Sequence, residues 1–369
     1  YFLAIYPWAT LIQSGIENIL VVYQKTNYLM VYRISNSFLL LFIILVVQIL
    51  HWNFQAYMIL FVAVQTIYAI AVYLISNKLA DGIRPRFNWG LCKTIFAFSI
   101  PIGLATVIGT LNIELDKLLI GKMLNTEQLA IYTNASKEIP VTIIATSLTS
   151  VLLPQIARFL KKGKKKKAVD LWGNATVLSF SLICFIAVGL IAFAPDVITL
   201  LYSEKYLPGV NVFRIYSVVL ILRCTYFGMI LNATGKTRFI FYSSLCSLGL
   251  NIILNGVFYW LVGFIGPAIA TLISQTVINV VQLIFTSRVM NYRFKDILPW
   301  KELGITAIII LVLGTPFFII RNLFTLSGIY GVMLSIALGM IWGGIYFLIM
   351  RKRLIYKWKE LNREENYEL

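Results

Sequence analysis

The sequence predicts an all-α, polytopic membrane protein: two lobes of parallel six-helix repeats, then an extra helix pair, with three helices expected ahead of residue 1. Three observations predict it. The 369 residues are 59% hydrophobic and 13% charged, against about 45–50% and about 25% in a soluble domain. The basic residues fall between apolar runs rather than on them. And the chain resembles itself when it is shifted by 210 positions.

A spanning helix needs about 20 mostly apolar residues. Eleven stretches qualify: 3–22, 29–50, 54–76, 94–114, 128–157, 171–194, 208–231, 238–261, 264–287, 302–320 and 328–350. Pro140 and Pro154 are expected to bend or end the long 128–157 helix, because proline lacks the amide and clashes with the preceding turn. No connection is long enough for a separate soluble domain.

Orientation follows from the loop cations. One set of connections holds Lys25 and Arg33, the 78–93 segment with Arg84 and Arg86, Arg158 with Lys161 to Lys167, Lys236 and Arg238, the 288–301 segment, and the tail from Arg351. The opposite set holds only Lys117, Lys122, Lys205, Arg214 and Arg321. The first set, with the C-terminus, is read as cytoplasmic. This accounts for the net charge of +17 without nucleic acid, and the run Lys161-Lys-Gly-Lys-Lys-Lys-Lys167 reads as a topology signal against anionic headgroups. Trp8, Trp52, Trp260, Trp300 and Trp358 lie near helix ends, as an interfacial belt requires.

The shift by 210 aligns 1–78 with 211–288 without a gap and pairs Tyr6 with Tyr216, Gln65 with Gln275 and Thr66 with Thr276. Three helix pairs and their basic ends coincide. The implied division is 1–92 for the remainder of a first lobe, 93–291 for a second lobe, and 292–369 for the extra pair and a basic tail. Parallel repeats are the arrangement of transporters that alternate access between two halves.

Other chemistry is poorly supplied. Cys92, Cys184, Cys224 and Cys246 stand far apart and His51 is the single histidine. A disulfide framework, a metal site or a hydrolytic triad is not expected. No nucleotide-binding loop is present, so no cofactor is expected and the chain does not read as an enzyme.

Three stretches carry a family resemblance. They are Pro101 to Asn112 with Asp116-Lys117-Leu-Leu-Ile-Gly121, Ile131-Tyr132 and Ala135; Leu231-Asn-Ala-Thr-Gly235-Lys236 with the Asn251–Asn255 helix; and Gly263-Phe-Ile-Gly266-Pro-Ala-Ile-Ala-Thr271-Leu-Ile-Ser274. In their order and spacing the chain resembles the polysaccharide-transport branch of the multidrug/oligosaccharidyl-lipid/polysaccharide exporter superfamily. The resemblance implies a flippase of polyprenyl-diphosphate-linked oligosaccharide in the bacterial inner membrane, serving O-antigen, capsule or related polysaccharide synthesis. It implies membrane lipids as surroundings, a polysaccharide polymerase and chain-length regulators as partners, no nucleic acid, and a monomer. The rival readings are a multidrug-type exporter of the same superfamily, which would favour cavity acids over cations, and a membrane glycosyltransferase or polymerase, which would carry a large outer loop.

Such a substrate joins an anionic diphosphate to a polar glycan. Charges inside a membrane segment are functional candidates by default. Arg223 is the candidate for the diphosphate, since a guanidinium matches phosphate oxygens; pairing with a buried carboxylate is the equal alternative. Lys137 either faces the cavity or pairs with its neighbour Glu138. Gln65, Gln275 and Asn279 are candidate glycan contacts, with interhelical bonding the favoured alternative. Glu17 is the candidate for ion coupling, against a pairing with Lys25 or Arg33. Glu114 and Lys117, three apart, are expected to pair near an outer mouth, with Asp116 beside them in a gating role.

Overall fold

A computed structural model describes residues 4–22, 26–79, 88–137, 139–324 and 328–366. The structure is helical throughout these residues, with no strand among them. Two compact units emerge, Tyr1–Trp89 and Gly90–Leu369. Lys25, Arg84, Arg86 and Glu138 lie outside the described residues.

The first unit holds α1 (Ile5–Val22), α2 (Thr26–Ile49) and α3 (Phe54–Leu79). Polar side chains tie the three together. Gln13 Nε2 donates to Gln65 Oε1 at 3.0 Å, Tyr32 OH to Gln13 Oε1 at 3.2 Å, and Gln65 Nε2 to Asn36 Oδ1 at 3.1 Å. In an apolar surrounding these groups have no water to return to, so they find one another. Leu41, Phe42 and Leu45 of α2 are exposed, as lipid-facing positions should be.

The second unit begins with α4 (Trp89–Met123), followed by α5 (Thr126–Ala135), α6 (Ile143–Lys161) and α7 (Lys165–Ala192). Next come α8 (Ala194–Leu201), α9 (Val210–Leu222), α10 (Met229–Ala233), α11 (Thr237–Val262) and α12 (Gly266–Met290). A short α13 (Phe294–Ile297) leads to α14 (Trp300–Leu323) and α15 (Gly328–Asn366). Helix α7 is the hub: it packs on α6, α9, α14 and α15, and Leu171, Trp172, Ile183 and Ala187 are fully buried along it.

Nine stretches among the described residues are long and apolar enough to cross a membrane, and one of them, Thr237–Met290, contains both α11 and α12. The chain is therefore a multi-pass membrane protein. Under the 210-residue shift α2 and α3 fall on α11 and α12 to within three residues at each end, whereas α1 falls on the interrupted pair α9 and α10.

Four expected helices are corrected. The 94–114 helix does not stop at its charges; α4 runs on to Met123, because Lys117 Nζ meets Glu114 Oε1 at 2.9 Å and Asp116 turns inward. The 128–157 helix is two helices. Ile139 is extended (φ −69, ψ 138) ahead of Pro140, as the residue before a proline prefers; Pro154, by contrast, sits inside α6. The 208–231 helix ends at Leu222 and resumes at Met229. Neighbours satisfy the freed backbone: Asn279 Nδ2 donates to the Leu222 carbonyl at 2.7 Å and Ser179 Oγ to the Cys224 carbonyl. Finally, α15 runs past 350 to Asn366 because Lys357 Nζ reaches Asn174 Oδ1 at 2.8 Å and Glu302 Oε1 at 3.3 Å.

Close helix packing in a membrane relies on small residues. The buried ring of Trp342 on α15 rests against Gly189 of α7 and Gly314 of α14. A Cβ at 189 would stand 2.7 Å from that ring. Gly189→Ala is expected to cost about 1–3 kcal/mol through overpacking, read as a lower unfolding temperature in detergent. Gly304→Ala, with nothing within 4 Å of its Cβ position, is the matched control and should be neutral or slightly stabilising.

Candidate functional site

The second unit buries one carboxylate among neutral donors. Asp116 of α4 is fully buried. Its Oδ2 accepts from Thr271 Oγ1 of α12 at 2.7 Å, Tyr216 OH of α9 at 2.8 Å and Tyr132 OH of α5 at 3.2 Å. Its Oδ1 accepts from Asn255 Nδ2 of α11 at 3.0 Å. Behind these, Asn251 Nδ2 donates to Thr271 Oγ1 at 3.2 Å, and Asn255 Nδ2 also reaches Asn251 Oδ1 at 2.9 Å.

Five helices therefore converge on one side chain. Around it, Asn255 Oδ1, Asn112 Oδ1 and Ser274 Oγ are buried without a hydrogen-bond partner. A carboxylate in low dielectric is costly without a cation, and each of its hydrogen-bond partners here is neutral. The arrangement can hold a negative charge by hydrogen bonds, and it leaves spare oxygen atoms nearby. No group of three or more His, Cys, Asp or Glu able to hold a metal occurs among the described residues.

The partners were not assembled by sequence reasoning. Asp116, expected in a gating role beside Glu114 and Lys117, points its side chain into the helix bundle, while Glu114 is exposed. A signal did exist. Tyr132, Asn251, Asn255 and Thr271 all belong to the three stretches that carry the family resemblance, and these stretches meet at Asp116. Tyr216 lies outside all three.

The expected substrate residues occupy other places. Arg223 lies not within a helix but at the C-terminal cap of α9, half-buried, where the chain breaks before α10. Lys137 also lies in a break, between α5 and α6, and is exposed. The two breaks adjoin: Val141, Ile144 and Ala145, where α6 begins, share one apolar cluster with Leu220 and Cys224, where α9 ends. Trp172 Nε1 and Thr176 Oγ1 of α7 both bond Thr225 Oγ1, at 3.0 and 3.1 Å, and so floor the second break. Interrupted helices at membrane depth are tolerated where they are buried in protein or line a cavity.

Gln275 Nε2 donates to Asn279 Oδ1 at 3.2 Å, while Asn279 holds the Leu222 carbonyl. These two amides support the Arg223 break. Gln65 is buried in the first unit and is occupied by Gln13 and Asn36. Glu17 pairs with Arg33 at 2.8 Å rather than standing alone in the bilayer.

Interrupted helices and a hydrogen-bonded buried carboxylate in an all-helical bundle are features of membrane transporters. The comparisons agree in fold. Lipid II flippase MurJ, in its inward closed conformation, superposes with a TM-score of 0.51 at 16% identity, over 78% of this chain and 62% of that one. A family model described as polysaccharide biosynthesis protein matches residues 10–211, more than half of the chain, and the chain belongs to that family. Among its relatives, the protein of Haloferax volcanii named "Probable low-salt glycan biosynthesis flippase Agl15" is 20% identical over 72% of this chain and 59% of its own length. The teichuronic acid biosynthesis protein TuaB of Bacillus subtilis is 28% identical over 49% of this chain and 41% of its own. The chain thus spans between about two-fifths and three-fifths of the relatives it matches.

Proposed function

We propose that the chain forms the greater part of a flippase that moves polyprenyl-diphosphate-linked oligosaccharide from the inner to the outer leaflet of a bacterial cytoplasmic membrane. No bond is made or broken in this reaction. The mechanism is alternating access, with 1–92 the remainder of one lobe, 93–291 the other, and 292–369 an added helix pair with a cytoplasmic tail. A polymerase and chain-length regulators would take the glycan on the far side. The observation that carries the reading, beyond family membership, is the pair of adjoining helix breaks with Arg223 and Lys137 on them.

The chemistry follows from those groups. Arg223 offers a planar fork to diphosphate oxygens, and Lys137 a mobile point charge on the other break. Asn279 holds the break open by capping the Leu222 carbonyl, and Gln275 holds Asn279 in place. Asp116 is the coupling or gating group: a proton or a monovalent cation taken up there would change how five helices are tied together. Glu17, already paired with Arg33, and the Glu114–Lys117 pair then act as struts.

The test is flipping of a fluorescent polyprenyl-diphosphate sugar in proteoliposomes. Arg223→Ala is expected to lower the rate at limiting substrate by about 10–100-fold, the value of one or two charge-assisted bonds, with Arg223→Lys intermediate. An undiminished rate in the alanine variant removes Arg223 from the substrate path. Drug efflux in place of sugar transport overturns the reading as a whole.

A further inference from the structure

We infer that the second unit carries a separate loading groove for the substrate's diphosphate, where α4 begins, α6 ends and α10 turns into α11. The inference rests on the flippase reading above. Two adjoining hollows of about 730 and 540 Å³ share Phe98 and Gly235. The apolar wall is made by Phe98, Leu153 and Leu160, while Lys161, Lys236 and Arg238 supply the charge.

The electrostatics are one-sided. No carboxylate lines either hollow. All three cations are exposed, and none of them makes an ion pair among the described residues. Three cations elsewhere in the unit are matched instead: Lys117 by Glu114, Arg321 by Asp196, Lys357 by Glu302.

The rim is also built. Gly235 adopts φ +72, a conformation that side-chain-bearing residues rarely take. This lets the Lys236 amide reach back to the Leu231 carbonyl at 2.8 Å and the Gly235 amide to the Asn232 carbonyl at 3.0 Å. The turn sets Lys236 and Arg238 at the start of the 26-residue helix α11, whose positive end adds to their field. No side chain caps that end. The sequence Leu231-Asn-Ala-Thr-Gly235-Lys236, otherwise without a role, is this rim.

The occupant is decided by charge and shape. A diphosphate diester carries two negative charges, and a phosphatidylglycerol headgroup one. Three unpaired cations beside an apolar wall match the former, with the first isoprene units against Phe98 and Leu153. The run Lys161 to Lys167 next to the groove would draw anionic lipid towards it. In the orientation that the loop cations indicate, the groove opens on the cytoplasmic side, where lipid-linked sugars are assembled.

The test is binding of undecaprenyl diphosphate to the protein in neutral phosphatidylcholine nanodiscs, followed by native mass spectrometry, with unfolding temperature as the control. The triple variant Lys161→Gln, Lys236→Gln, Arg238→Gln is expected to bind about 30-fold more weakly, and undecaprenyl monophosphate and phosphatidylglycerol at least tenfold more weakly than the diphosphate in wild type. Flipping by the variant should fall at limiting substrate and recover at saturation, a change in KM and not in kcat. Unchanged binding in the variant overturns the groove, as does equal displacement by phosphatidylglycerol. If wild type binds diphosphate at these residues but moves no lipid-linked sugar, the flippase reading falls and the groove stands. If the variant binds and transports as wild type does, the groove falls and the flippase reading stands.

Discussion

Asp116→Ala should lower the unfolding free energy by about 3 kcal/mol or more, the sum expected when several buried donors lose one acceptor. Two tyrosine hydroxyls, one amide and one threonine hydroxyl now point at this carboxylate. Hydrogen bonds within bilayers average only about 0.6 kcal/mol in double-mutant cycles, because the unfolded chain in the membrane finds other partners. That discount lowers each bond but not their number, and the alanine also leaves a void among five helices. Tyr216→Phe, which removes one donor and keeps the ring, should cost about 1 kcal/mol. The measurement is thermal unfolding of the purified protein in detergent. A loss for Asp116→Ala no greater than that for Tyr216→Phe would mean that the network does not organise the bundle.

The same position separates two roles. Asp116→Asn keeps the shape, and the hydroxyls of Tyr132, Tyr216 and Thr271 can turn to suit an amide. It cannot release a proton or balance a cation. If Asp116 couples transport to an ion, the asparagine variant should flip substrate at a rate that no longer responds to an imposed proton or sodium gradient. If it is only a gate, the variant should be slowed by the same factor with and without the gradient.

The helices were legible in the sequence because hydropathy is a local property. Runs such as 54–76 and 264–287 are apolar for the length of a bilayer, and α3 and α12 follow them. The break at Pro140 was legible for the same reason, since proline acts within one turn. The break after Leu222 was not. The break, residues 223–228, contains no proline, and its one glycine, Gly228, comes only at its far end as the cap of α10. It opens because Ser179 and Asn279, brought from α7 and α12, satisfy the freed carbonyls there, while Thr176 holds the Thr225 hydroxyl. Asp116 shows the same limit. Hydropathy registers it as a charge interrupting a span, whereas its meaning lies in Tyr132, Tyr216, Asn255 and Thr271, the last of them 155 positions away. A repeat can align helices, but it does not show which side chains meet.

Arg321→Ala is the second large effect. Arg321 near the end of α14 meets Asp196 at the start of α8 through both nitrogens, Nε to Oδ2 and Nη2 to Oδ1, each at 2.6 Å. Ser335 Oγ of α15 donates to the same Oδ2, and Arg321 Nη1 to the Phe324 carbonyl at 2.7 Å. The cluster ties the C-terminal helix pair to the rest of the second unit. Both charged side chains are almost out of solvent, 12% and 8% exposed, so removing the arginine strands a carboxylate. The expected cost is about 3–5 kcal/mol, the range for breaking a buried pair. Yet the intact pair need not stabilise by that amount, since desolvating two charges offsets most of their attraction. Replacing both by apolar residues of similar reach, Asp196→Leu with Arg321→Met, should therefore recover most of the loss. Unfolding temperatures of the two single variants and the double variant decide it. A double variant as unstable as the sum of the singles would mean that the two side chains act independently. Recovery in the double would mean that the pair chiefly sets where α14 and α15 dock, and that its geometry matters more than its net energy.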